Sequence, residues 1–157
     1  MLESRIGYLL RRAQAGVRAM IDAALKEYRL NVQQFSILFA IDSHPGLSSA
    51  DLARASTLTA QAVNLIVMNL ESKGLMVRAP HPAHGRILQA ELTRAGKSML
   101  KRCKRRVFAI EDRMLADLPP AQEALIRGWL LRCAEQAYGG VRRGAARPRI
   151  TEKERHA

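Results

Sequence analysis

The sequence predicts a mainly α fold: short helices and a two-stranded hairpin form a central lobe, with one long helix before it and two after it. Three observations carry this. Hydrophobic residues make up 48% of the chain but aromatic residues only 4%, a balance that suits helices better than a β sandwich, because strands favour aromatic and β-branched residues. Apolar residues recur at spacings of three and four along most of the chain. Residues 75–92 alone switch to alternation about a turn.

The elements follow in order. Residues 2–28 place Ile6, Leu10, Ala13, Val17, Met20 and Ala24 at intervals of four and three, a helical seam of heptad type. Residues 30–41, with Phe35, Leu38, Phe39 and Ile41, form a second helix, stopped by Ser43-His44-Pro45-Gly46. Ser48, with an acid three residues later at Asp51, caps a short third helix. After the hydroxyls of Ser56-Thr57-Leu58-Thr59, a fourth helix over 60–73 carries the apolar stripe Ala62, Val63, Ile66, Val67 and Leu70, and Gly74 stands where a left-handed terminating residue belongs. Residues 75–79 and 87–92 are strands about the turn 81–85, with Leu88, Ala90 and Leu92 on one side. A long fifth helix opens at Thr93 or Arg94 and turns Met99, Cys103, Val107, Ile110 and Met114 inward. The sixth, over 120–137, begins with Pro120 in its first turn and is expected to bury Leu125, Trp129, Leu130 and Cys133.

At 157 residues the chain suits one domain and is too short for a two-domain enzyme. Its 26 Lys and Arg against 14 Asp and Glu leave a net charge of +12. That excess points to a polyanionic partner, nucleic acid ahead of an anionic membrane surface. The tail beyond the sixth helix holds six basic and two acidic residues and little to bury, so it is expected to be disordered, while the body stays basic. The longest uncharged stretch, residues 55–70, is only 16 residues long and contains Ser, Thr, Gln and Asn, so no membrane span is expected. Nothing at the start reads as a secretory leader. Cys103 and Cys133 stand 30 apart without a CxxC pair, which predicts a reduced, cytoplasmic chain.

Two short helices joined by a tight turn and followed by a hairpin make a winged helix-turn-helix with a two-stranded wing. In that arrangement helix 60–73 enters the major groove, and the hairpin lies along the backbone or reaches the adjacent minor groove. Opposite its apolar stripe lie Gln61, Asn64, Leu65 and Met68. Gln and Asn can each make paired bonds to adenine, and an apolar side chain can touch the thymine methyl. Taken alone, such residues equally suit the solvent face of an ordinary surface helix.

Four stretches in order add to this: 30–38 (LNVQQFSIL), 51–53 (DLA), 70–78 (LESKGLMVR), and Arg86 followed by 92–96 (LTRAG). On these the chain resembles the MarR family of bacterial transcriptional regulators over residues 5–137. The resemblance implies a homodimer whose first, fifth and sixth helices intertwine, so that residues 2–28 and 94–137 are dimerisation helices and about 30–93 the winged lobe. It implies double-stranded DNA with a pseudo-palindromic operator as partner, released by a small aromatic or anionic effector or by oxidation. The expected DNA-binding residues are Ser48, Thr57, Thr59, Gln61, Asn64, Leu65, Met68, Lys73, Arg78, His84 and Arg86. An effector pocket is expected between the first, second and fifth helices, with Arg11, Arg12 or Arg18 meeting an anion and Tyr8 or His44 adding a hydrogen bond; these Arg equally suit the surface. The domain would span 1–137 and the basic tail 138–157.

The chain departs from the family in two places. The wing tip usually carries Asp, any residue, Arg, and here reads His84-Gly85-Arg86, so Arg86 lacks the carboxylate that would hold it. Where the family often has Thr-Arg in the recognition helix, this chain has Asn64-Leu65. Compensation is expected from Arg54, Lys73, Arg78 and the tail through phosphate contacts.

Other chemistry is sparse. His44, His81, His84 and His156 show no metal-ligand spacing, and no phosphate loop or nucleophile motif occurs, so neither an enzyme, a metal nor a cofactor is expected. Both thiols sit on apolar helix faces and are expected to be buried and inert. Lys97, Lys101, Arg102, Lys104, Arg105 and Arg106 crowd one helix, either as a solvated face or as a seat for an anion. The alternative function is a basic module that binds nucleic acid without sequence choice.

Overall fold

A computed structural model describes residues 1–56, 58–80, 85 and 88–139, with side chains to 136. The elements are α1 (Ile6–Leu25), a 3-10 turn (Lys26–Tyr28), α2 (Val32–Ser43), α3 (Ser49–Ala55), α4 (Ala60–Ser72), β1 (Met76–Pro80), β2 (Leu88–Leu92), α5 (Arg94–Leu115) and α6 (Pro120–Gly139). They form two compact units, Met1–Met114 and a second beginning at Leu115.

The core of the first unit is the meeting of α2, α4 and the middle of α5. Leu38, Val63, Val67, Leu70 and Cys103 are wholly buried there, with Leu25 from the end of α1. Fully burying one such aliphatic side chain contributes about 1.5–3 kcal/mol. Local chemistry sets the helix starts. Asn31 accepts from the Gln34 amide at 2.9 Å while the Gln34 side chain accepts from the Asn31 N–H at 3.0 Å, a full capping box on α2. Ser48 and Asp51 make the same box on α3, as their spacing predicts. The α4 helix ends in Gly74 at φ +67°, the left-handed turn expected of a glycine there.

The wing is an antiparallel pair with Met76 opposite Leu92 and Pro80 opposite Leu88. Its β2 strand is fastened to the start of α3: Ala90 donates to the Leu47 carbonyl at 2.8 Å, and Ser48 bridges Gln89. The junction with α5 is tighter still. Thr93 donates through its hydroxyl to the Gly74 carbonyl (2.7 Å) and through its amide to the Leu75 carbonyl (3.1 Å), and its hydroxyl caps the Gly96 N–H (3.0 Å). A Cβ on Gly96 would lie 1.8 Å from the Leu75 carbonyl oxygen, so only glycine fits.

Several side chains expected inward are not. Leu88 is 44% exposed because it sits at the outer end of the paired strands, whereas Ala90 lies over the core. Met114 is exposed, and the α5 seam instead runs through Gly96, Leu100, Cys103, Val107 and Ile110. On α6, Leu125 (71%) and Leu130 (41%) are exposed and Trp129 and Cys133 only half-buried. No described residue of α6 is buried. The α1 seam behaves alike, with Ile6, Leu10 and Met20 exposed. These faces are apolar by pattern, and among the described residues they stay exposed.

Candidate nucleic-acid interface

Helix α4 is placed by what lies behind it. Val63, Val67 and Leu70 fix its inner face in the core, Thr59 caps its start by accepting from the Ala62 N–H at 3.2 Å, and the Gln34 amide donates to Asn69 Oδ1 at 2.6 Å to fix its flank to α2. The opposite face, as the spacing predicts, carries Gln61, Asn64, Leu65 and Met68, all exposed. Asn64 Nδ2 lies 3.9 Å from Met68 Sδ, a weak contact that leaves the amide oxygen free among the described residues.

The other expected contacts divide into three groups. Ser48 and Thr59 are at helix starts, and both hydroxyls are used as caps, Ser48 also donating to Asp51 Oδ2 at 2.6 Å. Hydrogen bonds donated to the Asp51 carboxyl by the Ser48 hydroxyl and, at 2.9 Å, by the Ser48 N–H hold it below its ordinary value, with Arg54 contributing less. Lys73 and Arg78 are tethered within the lobe. Lys73 donates to the Arg29 carbonyl at 2.7 Å, and Arg78 makes a two-bond pair with Glu71 at 2.7 and 2.8 Å, which stabilises its charged form further. Thr57, His84 and Arg86 lie outside the described residues, as do 140–157.

The expected effector residues do not converge. Arg11 and Arg12 lie over the Tyr8 ring, 5.1 and 5.9 Å from its centre, while Arg18 pairs with Asp22 one turn on and His44 ends α2. None of the five lines the described clefts of the first unit. One of about 550 Å³ runs between α1 and α5 past Ala23, Glu27, Arg106 and Arg113. A second, about 520 Å³, lies between the end of α2 and β2 at Asp42, Gly46, Gln89 and Glu91. The third, about 350 Å³, separates α2 from α5: Leu100 and Phe108 line it beside Lys97, Lys101, Lys104 and Arg105. Lys104 spans it, 2.7 Å from Asp42 and 4.8 Å from the centre of the Phe39 ring. The spacing of the α5 cations hinted at this third cleft, but its acid, Asp42, comes from 62 residues before Lys104. The Asn31–Gln34 box was missed in the sequence, although Asn-x-x-Gln before an apolar run is a helix-start signal that could have found it.

Burial pushes the Cys103 thiol above its ordinary value, as expected of an inert core thiol. No group of metal-binding side chains occurs among the described residues. No helix among them is long and apolar enough to cross a membrane.

A helix-turn-helix whose second helix offers an uncharged, amide-bearing exposed face, backed by a two-stranded wing, defines a winged-helix DNA-binding regulator. The model of the MarR family matches residues 30–87. The HTH-type transcriptional repressor Rv2887 of Mycobacterium tuberculosis is 38% identical over 121 residues, 77% of this chain and 87% of that protein. The structure of Rv2887 in complex with salicylic acid superposes with a TM-score of 0.67 at 36% identity, over 83% of this chain and 96% of that one. CouR from Rhodococcus jostii RHA1 bound to p-coumaroyl-CoA gives 0.80 at 27% identity, over 85% and 94%. CouR bound to a 23-mer DNA duplex gives 0.78 at 28%, with the same coverage. The chain belongs to the MarR family, and it is a DNA-binding regulator of transcription.

Proposed function

We propose that the protein is a cytoplasmic homodimeric repressor, without enzymatic activity, that occupies a pseudo-palindromic duplex site and leaves it when a small aromatic or anionic effector binds. The observation that carries the reading is the exposed stripe Gln61, Asn64, Leu65 and Met68 on a helix whose other face is fixed in the core. Residues 1–137 form the functional body, and 138–157 add sequence-blind phosphate contacts. Dimerisation is supported by the exposed apolar residues of α1 and, separately, of α6.

The effector reading is supported by the salicylic acid and p-coumaroyl-CoA of the relatives' complexes. In this chain the α2–α5 cleft suits an aromatic acid better than the Tyr8, Arg11 and Arg12 stack, because Phe108 lines it beside Lys97, Lys101 and Arg105, while Lys104 is held by Asp42. Footprinting of genomic fragments, the region upstream of its own gene included, tests the repressor reading. One protected site whose log affinity falls steeply with log salt is the expected result; no protection at low salt would end it. Loss of that footprint on adding an aromatic acid tests the effector.

A further inference from the structure

The recognition face poses a problem of its own: two large apolar side chains stand in solvent beside two amides, without a charge. Leu65 is 62% exposed and Met68 52%. The commonest reader of guanine is an Arg or Lys reaching O6 and N7, and a carboxylate reads the cytosine amino group. Neither is available on this face. Lys73 is drawn back to the Arg29 carbonyl, and the acid of α4, Glu71, is held by both arms of Arg78. What remains can satisfy adenine and thymine. Among the described residues the Gln61 side chain makes no hydrogen bond and that of Asn64 only its weak one to Met68, so both amides are free to pair with adenine N6 and N7. The thymine C5-methyl is the one apolar group that the major groove displays, and it gives Leu65 and Met68 a surface to cover.

We infer that the half-site read by α4 is a run of A·T pairs in which Leu65 and Met68 seat against thymine methyls while Gln61 and Asn64 bond adenine edges. The inference rests on the DNA-binding reading of α4 given above. The dimensions agree. From Gln61 to Met68 the helix rises about 10 Å at about 1.5 Å per residue, which is about three base steps of about 3.4 Å. Leu65 and Met68 are about 4.5 Å apart along the axis, little more than one step, so they meet thymines of neighbouring pairs. Because Asn64 touches Met68, amide and thioether act as one unit across an adenine and the thymine beside it.

The test separates this claim from the reading beneath it. Random duplexes are selected for binding to the full-length protein, and the selected site is resynthesised with deoxyuridine in place of each thymine in turn. That change removes one methyl and leaves every hydrogen bond intact. The expected result is an A·T-rich half-site with two positions at which affinity drops about fourfold per methyl lost. Leu65→Ala should silence one position and Met68→Ala the other; both residues are exposed on a helix, so the variants should fold, as circular dichroism would verify. A selected site indifferent to deoxyuridine, one centred on G·C pairs, or equal methyl dependence in wild type and both variants would overturn the inference while leaving a sequence-specific regulator. Failure to enrich any sequence would instead remove the regulator reading, and this one with it.

Discussion

The lobe of α2 to β2 and the helix α6 are both rich in leucine, yet they meet water in opposite ways. In the lobe, Leu38, Leu52, Val63, Val67 and Leu70 are at most 1% exposed, and each helix start is capped by a side chain. In α6, Leu125, Ile126, Leu130 and Leu131 are between 39% and 71% exposed. Periodicity alone cannot tell these cases apart, because an apolar stripe says that a face will be covered and not by which chain. The lobe completes itself; α6 needs a partner, and a second copy is the economical one.

Placing charge on α6 should break the comparison most forcefully. Ile126→Glu with Leu130→Glu puts two carboxylates one turn apart on one face, and an unpaired charge buried at an interface costs about 3–5 kcal/mol. Sedimentation should show the dimer dissociating on the order of 100-fold more readily or worse, while helix content persists. An unchanged dimer would mean that α6 is not part of the contact. Next in size is Gly96→Ala. Its methyl group would collide with the Leu75 carbonyl, which is backbone and cannot swing away, so a loss of about 3 kcal/mol or more is expected in denaturant unfolding, whereas Gly16→Ala, with open space around its Cβ, should be tolerated.

Smaller effects sharpen the account of the lobe. Ser48→Ala should cost about 1 kcal/mol by removing the α3 cap. Asp51→Asn should cost less, since that carboxylate is partly solvated. Its folded value is depressed, so its contribution is present above the ordinary carboxyl range and fades as pH falls through the lowered value. Wild type and Asp51→Asn should therefore converge in stability at acid pH; a gap that widened on acidification would refute the cap assignment. Smallest is a difference of rate: a thiol reagent should modify half-buried Cys133 well before buried Cys103 in the folded protein.

Much of this was legible in the sequence wherever the physics is local. The Ser48–Asp51 box, the left-handed Gly74, the change of period at the wing and the exposed stripe of α4 each depend on residues within a few positions of one another. Pairings across long separations were not legible. Lys73 reaches back 44 residues to Arg29, and Lys104 reaches 62 to Asp42, so cations that the sequence offers to phosphates or effectors are already engaged. Leu125 and Leu130 failed for another reason. Their pattern is apolar as expected, but what covers them is not among the described residues.

The Thr93 and Gly96 joint has a mechanical consequence. Because it binds the start of α5 to the end of α4 through the backbone of Gly74 and Leu75, it offers no hinge, and α5 behaves as a stiff lever of about 33 Å at about 1.5 Å per residue. A tilt of about 5° at one end sweeps the other through about 3 Å, close to a base step of about 3.4 Å. If α4 reads bases as proposed, a tilt of that size would be enough to carry it out of step with them.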